Sequence, residues 1–149
     1  MILATPDPAV DRAFAAALLR LQHDAYRSQA ELIGDDRLRA LAADEYSLPA
    51  WRGRYLVAWE GTDLLGALAW RTGDVVEVDR VMIAAPARRR GLATTLVQAV
   101  LGLVGSCPVE TQTGRDNAPG IALYRQLGFE PVADEQAPSG IWVTHLRRG

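Results

Sequence analysis

Apolar and polar positions change rhythm several times along this chain of 149 residues, and each change predicts an element. Met1 to Thr5 reads as a short edge strand, stopped by Pro6 and Pro8. From Ala9 to Ile33 the apolar residues Phe14, Leu18, Leu21, Ala25 and Leu32 recur at helical intervals. Asp7 or Asp11 can cap the start of that stretch, and Gly34 ends it. A break near Leu21 to Asp24 would give two helices instead of one. Asp35 to Ala43 reads as another short helix, followed by an interruption at Leu48-Pro49.

The period then shortens. Tyr55 to Glu60 and Leu64 to Arg71 read as strands around the turn Gly61-Thr62-Asp63, a hairpin signal. Thr72-Gly73-Asp74 leads into a third strand, Val75 to Ile83, so three strands with tight turns predict an antiparallel meander. Leu92 to Val104 carries Leu96, Val97, Val100, Leu101 and Val104 at helical spacing, and Val109 to Thr113 reads as a strand. Strand, helix, strand favours a parallel pair with a right-handed crossover. A helix from Pro119 to Leu127, with Gly128 just past its end, precedes a final antiparallel pair, Glu130 to Asp134 and Ile141 to Leu146. The order predicts one α/β domain over residues 1–149, a mixed central sheet with helices on both faces.

Composition narrows the function by exclusion. The apolar share of 49% and charged share of 23% are those of an ordinary globular chain. A net charge of -2 argues against a general nucleic-acid surface. Cys107 is alone, which excludes an internal disulfide and a cysteine-based metal site within one chain. His23 and His145 are the only histidines, too few for an ordinary zinc enzyme, so no metal is expected. No secretory signal and no bilayer-length apolar run is visible, so the expected location is cytoplasmic, without a membrane partner. The chain has no lysine, which excludes a phosphate-binding P-loop. No Gly-x-Gly-x-x-Gly follows a strand, which excludes the dinucleotide fingerprint.

The chemistry concentrates at Arg88-Arg89-Arg90-Gly91-Leu92-Ala93-Thr94, between the third strand and the next helix. A helix start leaves backbone N–H groups without partners and carries partial positive charge, a combination that attracts anions. Gly91 and Ala93 keep bulk away, and arginines pair with phosphate oxygens. A basic surface turn is the competing reading. Further on, Asn117-Ala118-Pro119-Gly120-Ile121-Ala122-Leu123-Tyr124-Arg125-Gln126-Leu127-Gly128-Phe129 forms a second block.

With both blocks the chain resembles the GCN5-related N-acetyltransferase (GNAT) family. Arg88, Gly91 and Ala93 match the family's Arg/Gln-x-x-Gly-x-Gly/Ala loop, and Asn117, Leu123, Tyr124, Gly128 and Phe129 match its second pattern. Gly120 stands where that pattern has alanine, and Ala85 stands where a proline is common, with Pro86 one place later. The resemblance implies a mostly antiparallel twisted sheet whose two central parallel strands, Val75–Ile83 and Val109–Thr113, splay apart to admit the cofactor. It implies an acetyl-CoA-dependent N-acetyltransferase acting on a small or protein amine. It places the pyrophosphate on Arg88 to Thr94, and the pantetheine arm on the backbone of Val81, Met82 and Ile83, with a bulge expected near Met82. Tyr124 would protonate the leaving thiolate or simply pack beside Leu127 and Phe129. Asn117 would contact the pantetheine, cap its helix, or do both.

Glu77 and Asp79 lie two apart on a strand and so share a face, with Val81 and Ile83 expected on the same side. The resemblance offers Glu77 as general base with Asp79 as its neighbour, and two acids would draw a cationic acceptor. An exposed polar strand face is the plain reading of both. His23, Tyr26, Tyr46 and Trp51 are candidates for the acceptor pocket, while His145 and Cys107 read as structural. A homodimer through the C-terminal strands follows from the resemblance alone. The alternative to an enzyme is a non-catalytic acyl-CoA-binding or sensor module of the same fold.

Overall fold

The computed structural model describes residues 1–33 and 53–149. The expected helix at Asp35 to Ala43 and the Leu48-Pro49 interruption lie outside the described residues. Among the described residues seven strands form one sheet in the order β1-β2-β3-β4-β5-β7-β6. They are β1 (Ile2–Ala4), β2 (Arg54–Glu60), β3 (Asp63–Arg71), β4 (Val76–Ile83), β5 (Val109–Gly114), β6 (Glu130–Gln136) and β7 (Trp142–Arg148). Only β4 and β5 pair in parallel, while every other neighbouring pair is antiparallel. The helices are α1 (Arg12–Ile33), α2 (Leu92–Val104) and α3 (Ala118–Gln126). The mixed, mostly antiparallel sheet expected from the sequence is the one observed.

α1 is a single helix, without the break considered near Leu21 to Asp24. Asp11 caps it, accepting from the Phe14 N–H at 2.9 Å, while Asp7 holds the preceding turn through the Ala9 N–H. Phe14, Leu18 and Leu21 recur at one helical face and pack on Tyr55, Val57, Ala67, Ala69 and Met82. On the opposite face α2 buries Leu92, Leu96, Val97 and Val100 against Leu56, Leu68, Val76 and Val78. Each such side chain contributes about 1.5–3 kcal/mol by leaving water. α2 mixes the good helix formers Ala93, Leu96, Ala99 and Leu101 with Thr94, Thr95, Val97, Val100 and Gly102, and burial of its apolar face adds to that propensity.

Gly66 on β3 sets how close α2 can come. A Cβ there would lie 2.9 Å from Ile83 Cδ1, 3.1 Å from Leu92 Cδ2 and 3.3 Å from Leu96 Cδ1. Gly66→Val is expected to lower stability by about 1–3 kcal/mol through overpacking. A shift in the thermal or denaturant midpoint reads this, and an unchanged midpoint would show that α2 rides freely over β3.

Candidate active site

β4 and β5 pair only from Val76–Val109 to Val78–Thr111. Beyond that rung β4 stays with β3 as far as Ile83, and β5 stays with β7 as far as Gly114. The two strands thus keep their outer partners and part from each other. Their inner edges, Asp79 to Ile83 and Gln112 to Gly114, face a gap that no strand among the described residues fills.

A bulge stands at the point of parting. Arg80 pairs with Ala69 and Val78 with Trp70, so Asp79 is the extra residue. A bulge bends its strand and increases the local twist, which turns β4 away from β5. The expected bulge near Met82 is therefore corrected to Asp79. The extra residue also reverses the strand's alternation. Val81 and Ile83 join Val76 and Val78 in the cluster beneath α2, and Met82 is buried with α1. The expectation that Val81 and Ile83 share a face with Glu77 and Asp79 fails for this reason.

At the outer end of β4 the chain makes a 3-10 turn over Ala85–Ala87, built on Pro86, and enters the arginine loop. Arg89 (φ 63°) and Gly91 (φ 72°) are both left-handed. Successive turns of opposite hand converge backbone N–H groups into an anion-binding concavity. Gly91 is the N-cap of α2 and no side chain caps that helix. A Cβ at Gly91 would meet nothing within 4 Å. Arg88, Arg89 and Arg90 are exposed around this opening. Arg88 Nε donates to Ile83 O at 3.4 Å, and Arg90 Nη2 to Pro86 O at 3.4 Å. Ala93 and Thr94 are half-buried on the first turn of α2, and Leu92 is core. Open N–H groups, an uncrowded cradle and arginines suit the pyrophosphate of a coenzyme A.

Tyr124 on α3 reaches the base of the gap from the same face. It is 5% exposed and meets Phe129 edge-on with ring centroids 5.3 Å apart. Burial pushes the phenol above its ordinary value of 10.0, and the Thr111 side chain opposes that rise. The packing reading of Tyr124 is correct, and it leaves the hydroxyl at the last shared rung of β4 and β5.

Asn117 caps α3. Its Oδ1 accepts from the Gly120 N–H at 3.2 Å and its Nδ2 donates to Thr113 Oγ1 at 3.0 Å. The departure at Gly120 now has a cause, since a Cβ there would sit 2.7 Å from Asn117 Nδ2 and 3.1 Å from Thr113 Oγ1. Gly120→Ala is expected to displace the Asn117 side chain, losing about 1 kcal/mol of cap and regaining about as much helix propensity. The checkable consequence is a double-mutant cycle. Asn117→Ala should destabilise the native chain by about 1 kcal/mol and the Gly120→Ala background hardly at all. Equal losses in both would mean that the cap survives a Cβ.

On the α1 face of the same seam lies a cavity of about 170 Å³, lined by Arg71, Glu77, Val78, Asp79, Glu110, Thr111, Gln112 and His145. Glu77 is paired with Arg71 across the β3–β4 ladder. Asp79 Oδ2 accepts from Arg80 Nε at 2.6 Å, and Arg80 Nη1 donates to the buried Gln22 on α1 at 2.9 Å. Glu110 is held by Arg147 at 2.9 Å, and His145 Nε2 lies 2.8 Å from Glu135 Oε2. Glu77 and Asp79 both line this cavity. His145, expected to be merely structural, joins them, because β7 runs beside β5 and sets His145 opposite Gln112. Sequence reasoning also missed Thr111, Arg71, Arg80 and Glu110. Only Thr111 carried a readable signal, a polar residue at a position whose alternation with Val109 points inward.

His23 is exposed on α1 and does not line the cavity. Tyr26 lies on α1, with its side chain outside the described residues, as are Tyr46 and Trp51 altogether. Among the described residues there is no cluster of histidine, cysteine and carboxylate side chains suited to a metal ion. Among them, too, no helix is long and apolar enough to cross a membrane.

A model of the acetyltransferase (GNAT) family matches residues 15–129. The chain belongs to the GNAT family. The fold likeness extends beyond the matched region. The ribosomal-protein-S18-alanine N-acetyltransferase of Escherichia coli superposes with a TM-score of 0.76 at 13% identity, covering 99% of this chain and 93% of that one. The PaiA N-acetyltransferase of Thermoplasma acidophilum, solved in complex with coenzyme A, gives 0.73 at 13% identity, covering 97% and 98%. An acyl-CoA N-acyltransferase from Pseudomonas aeruginosa gives 0.73 at 21% identity, covering 99% of each chain. At these identities the likeness is one of GNAT fold. A curated relative, the UPF0157 protein YqkA of Bacillus subtilis, is 24% identical over 132 residues. This GNAT chain spans 38% of that relative's length, and the match takes in 87% of this chain.

Proposed function

We propose that this GNAT chain is an acetyl-CoA-dependent N-acetyltransferase that acts on a primary amine by direct attack in a ternary complex. The observation that carries the reading is the β4–β5 gap, with an uncapped α2 N-terminus at one end and the Tyr124 hydroxyl at its base, on one face of the sheet. The carboxylate-lined cavity opens on the other face. Donor and acceptor thus approach the gap from opposite sides. Residues Arg88 to Thr94 bind the pyrophosphate, chiefly by backbone N–H groups. The inner edge of β4 at Val81, Met82 and Ile83 takes the pantetheine amides as a strand would. A neighbour of the same fold was solved in complex with coenzyme A, which supports the choice of cofactor.

Bound acetyl-CoA supplies a thioester carbon open to attack. Glu77 or Asp79 takes a proton from the amine, directly or through water, as the C–N bond forms. Asp79, as the bulged residue, stands where the gap opens, whereas Glu77 lies on the paired part of β4 opposite Glu110, so placement favours Asp79. Tyr124 gives its Oη proton to sulfur as the C–S bond breaks. The proton lost by the amine and the proton gained by the thiolate balance. Glu77, Asp79 and Glu110 outnumber Arg71 and His145 on the cavity wall, which favours a cationic acceptor. The ribosomal-protein acetyltransferase among the neighbours makes a protein N-terminus one such acceptor to include.

The test is release of coenzyme A from acetyl-CoA across a panel of amino acids, polyamines, aminoglycosides and peptides with free N-termini. Release that depends on one class supports the enzyme and names its acceptor. A thermal shift with acetyl-CoA but no release by any amine supports the binding module instead. Absence of both sinks the cofactor assignment.

A further inference from the structure

Gln22 is wholly buried on α1, although Leu18, one turn earlier on the same face, is apolar core. An amide in such a place is tolerated when its polar atoms are engaged. Arg80 Nη1 donates to Gln22 Oε1 at 2.9 Å. A guanidinium can only donate, which fixes the atom it meets as the carbonyl oxygen of the amide. The same guanidinium donates through Nε to Asp79 Oδ2 at 2.6 Å. Successive residues of a regular strand point to opposite faces, and their side chains do not meet. Asp79 and Arg80 meet because Asp79 is the extra residue of the bulge. That extra residue has no partner on β3 to hold it. One planar group with two nitrogens engaged supplies the missing constraint. A chain of two hydrogen bonds thus runs from the buried face of α1 to the carboxylate where β4 and β5 part.

We propose that Arg80 and Gln22 are positioning residues for Asp79, holding Oδ2 so that Oδ1 meets the acceptor amine. The inference rests on the reading of Asp79 as the carboxylate that takes the amine's proton. Asp79 lines the cavity while Arg80 and Gln22 do not, so both act through Asp79. The proton leaves the amine for Oδ1 as the C–N bond forms, and passes from there to solvent. Arg80 keeps its own protons throughout. With an apolar side chain at position 22 the guanidinium keeps Asp79 as a partner but loses this anchor, and the pair can swing as a unit. A displacement of about 1 Å is enough to cost a reacting group much of its rate.

The experiment compares Gln22→Met and Arg80→Lys, alone and with Asp79→Asn, in the full chain. Two readouts are used: steady-state turnover of acetyl-CoA with the amine class that the panel above selects, and solvent exchange of the Arg80 Nε–H by NMR on isotope-labelled protein without ligand. Methionine has about the reach of glutamine without its carbonyl oxygen. Gln22→Met should lower kcat about tenfold with KM for acetyl-CoA unchanged, and should speed the Nε–H exchange about tenfold. Arg80→Lys keeps the charge without the two-nitrogen fork and should lower kcat to the same degree. In the Asp79→Asn background neither change should have a further effect on kcat. An equal loss in that background, or unmoved exchange in Gln22→Met, overturns the proposal. If Gln22→Met does not fold, Arg80→Lys decides in its place, and an equal loss with and without Asp79→Asn still overturns the proposal. Should Asp79→Asn leave turnover unchanged, the base reading of Asp79 fails, while the exchange rate still reports whether Gln22 holds the Arg80–Asp79 pair. Should no amine of the panel be turned over, the exchange rate alone decides.

Discussion

Tyr124→Phe is expected to lower kcat about a hundredfold while KM for acetyl-CoA stays within about twofold. The ring is core. It packs on Phe129 and lies within the cluster beneath α2, so phenylalanine keeps the contacts and removes only the hydroxyl. What is lost is a proton donor at the base of the gap, needed only as the thiolate departs, and an interaction made only then appears in kcat. Steady-state kinetics at saturating amine checks this. A parallel rise in KM with kcat intact would make Tyr124 a packing residue alone. The same variant has a second signature. The folded phenol lies above the ordinary value of 10.0, so the folded state holds its proton where the unfolded state releases it. Its contribution to stability is complete below 10.0 and is lost as pH rises from there toward the folded value. Tyr124→Phe should therefore lose stability less steeply with pH above 10.0 than the native chain does.

Gly91→Val is expected to weaken acetyl-CoA binding about a hundredfold, the second large effect. Gly91 is left-handed at φ 72°, a conformation that costs an L-residue roughly 1–2 kcal/mol and a β-branched one more. A side chain there has free space, since a Cβ would have no neighbour within 4 Å. Overpacking is therefore not the mechanism. The added groups occupy the cradle in front of the first N–H groups of α2, where a phosphate would sit, and the strained turn misdirects those groups. Two terms of about 1–2 kcal/mol each add to roughly 2–4 kcal/mol, which spans that factor. Calorimetry with acetyl-CoA and a thermal melt separate them. Lost affinity with a melting temperature lowered by only the few degrees that the backbone strain costs supports a cradle, and unchanged affinity would remove the pyrophosphate from this loop.

How much of the molecule is legible in the sequence differs from element to element. α2 is legible to the residue, because its apolar stripe and the Gly91 before it mark both face and start. The strands are legible to within two residues of their observed ends, since alternation and turn residues are local properties. The bulge falls at Asp79 and not near Met82, and nothing in Val78-Asp79-Arg80 marks an extra residue. It arises from how β3 and β4 twist together. Asn117 lies between these extremes. Its residue type allows a cap or a cofactor contact, and the clash a Cβ would make at Gly120 shows which one the resting chain adopts.

By itself the sequence determined most of the elements and the family and marked Arg88 to Thr94 as a candidate anion loop, because a helix start, a glycine and flanking arginines lie within a few residues of one another. Only the tertiary structure decided the site's composition. Glu77, Asp79, Glu110, Gln112 and His145 come from three strands, and they meet because β7 inserts between β5 and β6 while β4 and β5 stay paired at their starts. Thr111 gains its place the same way, with its hydroxyl on a carbonyl of β4. Pairing register and strand order are set by the burial of two faces at once, a sum over the whole sheet that no single segment encodes.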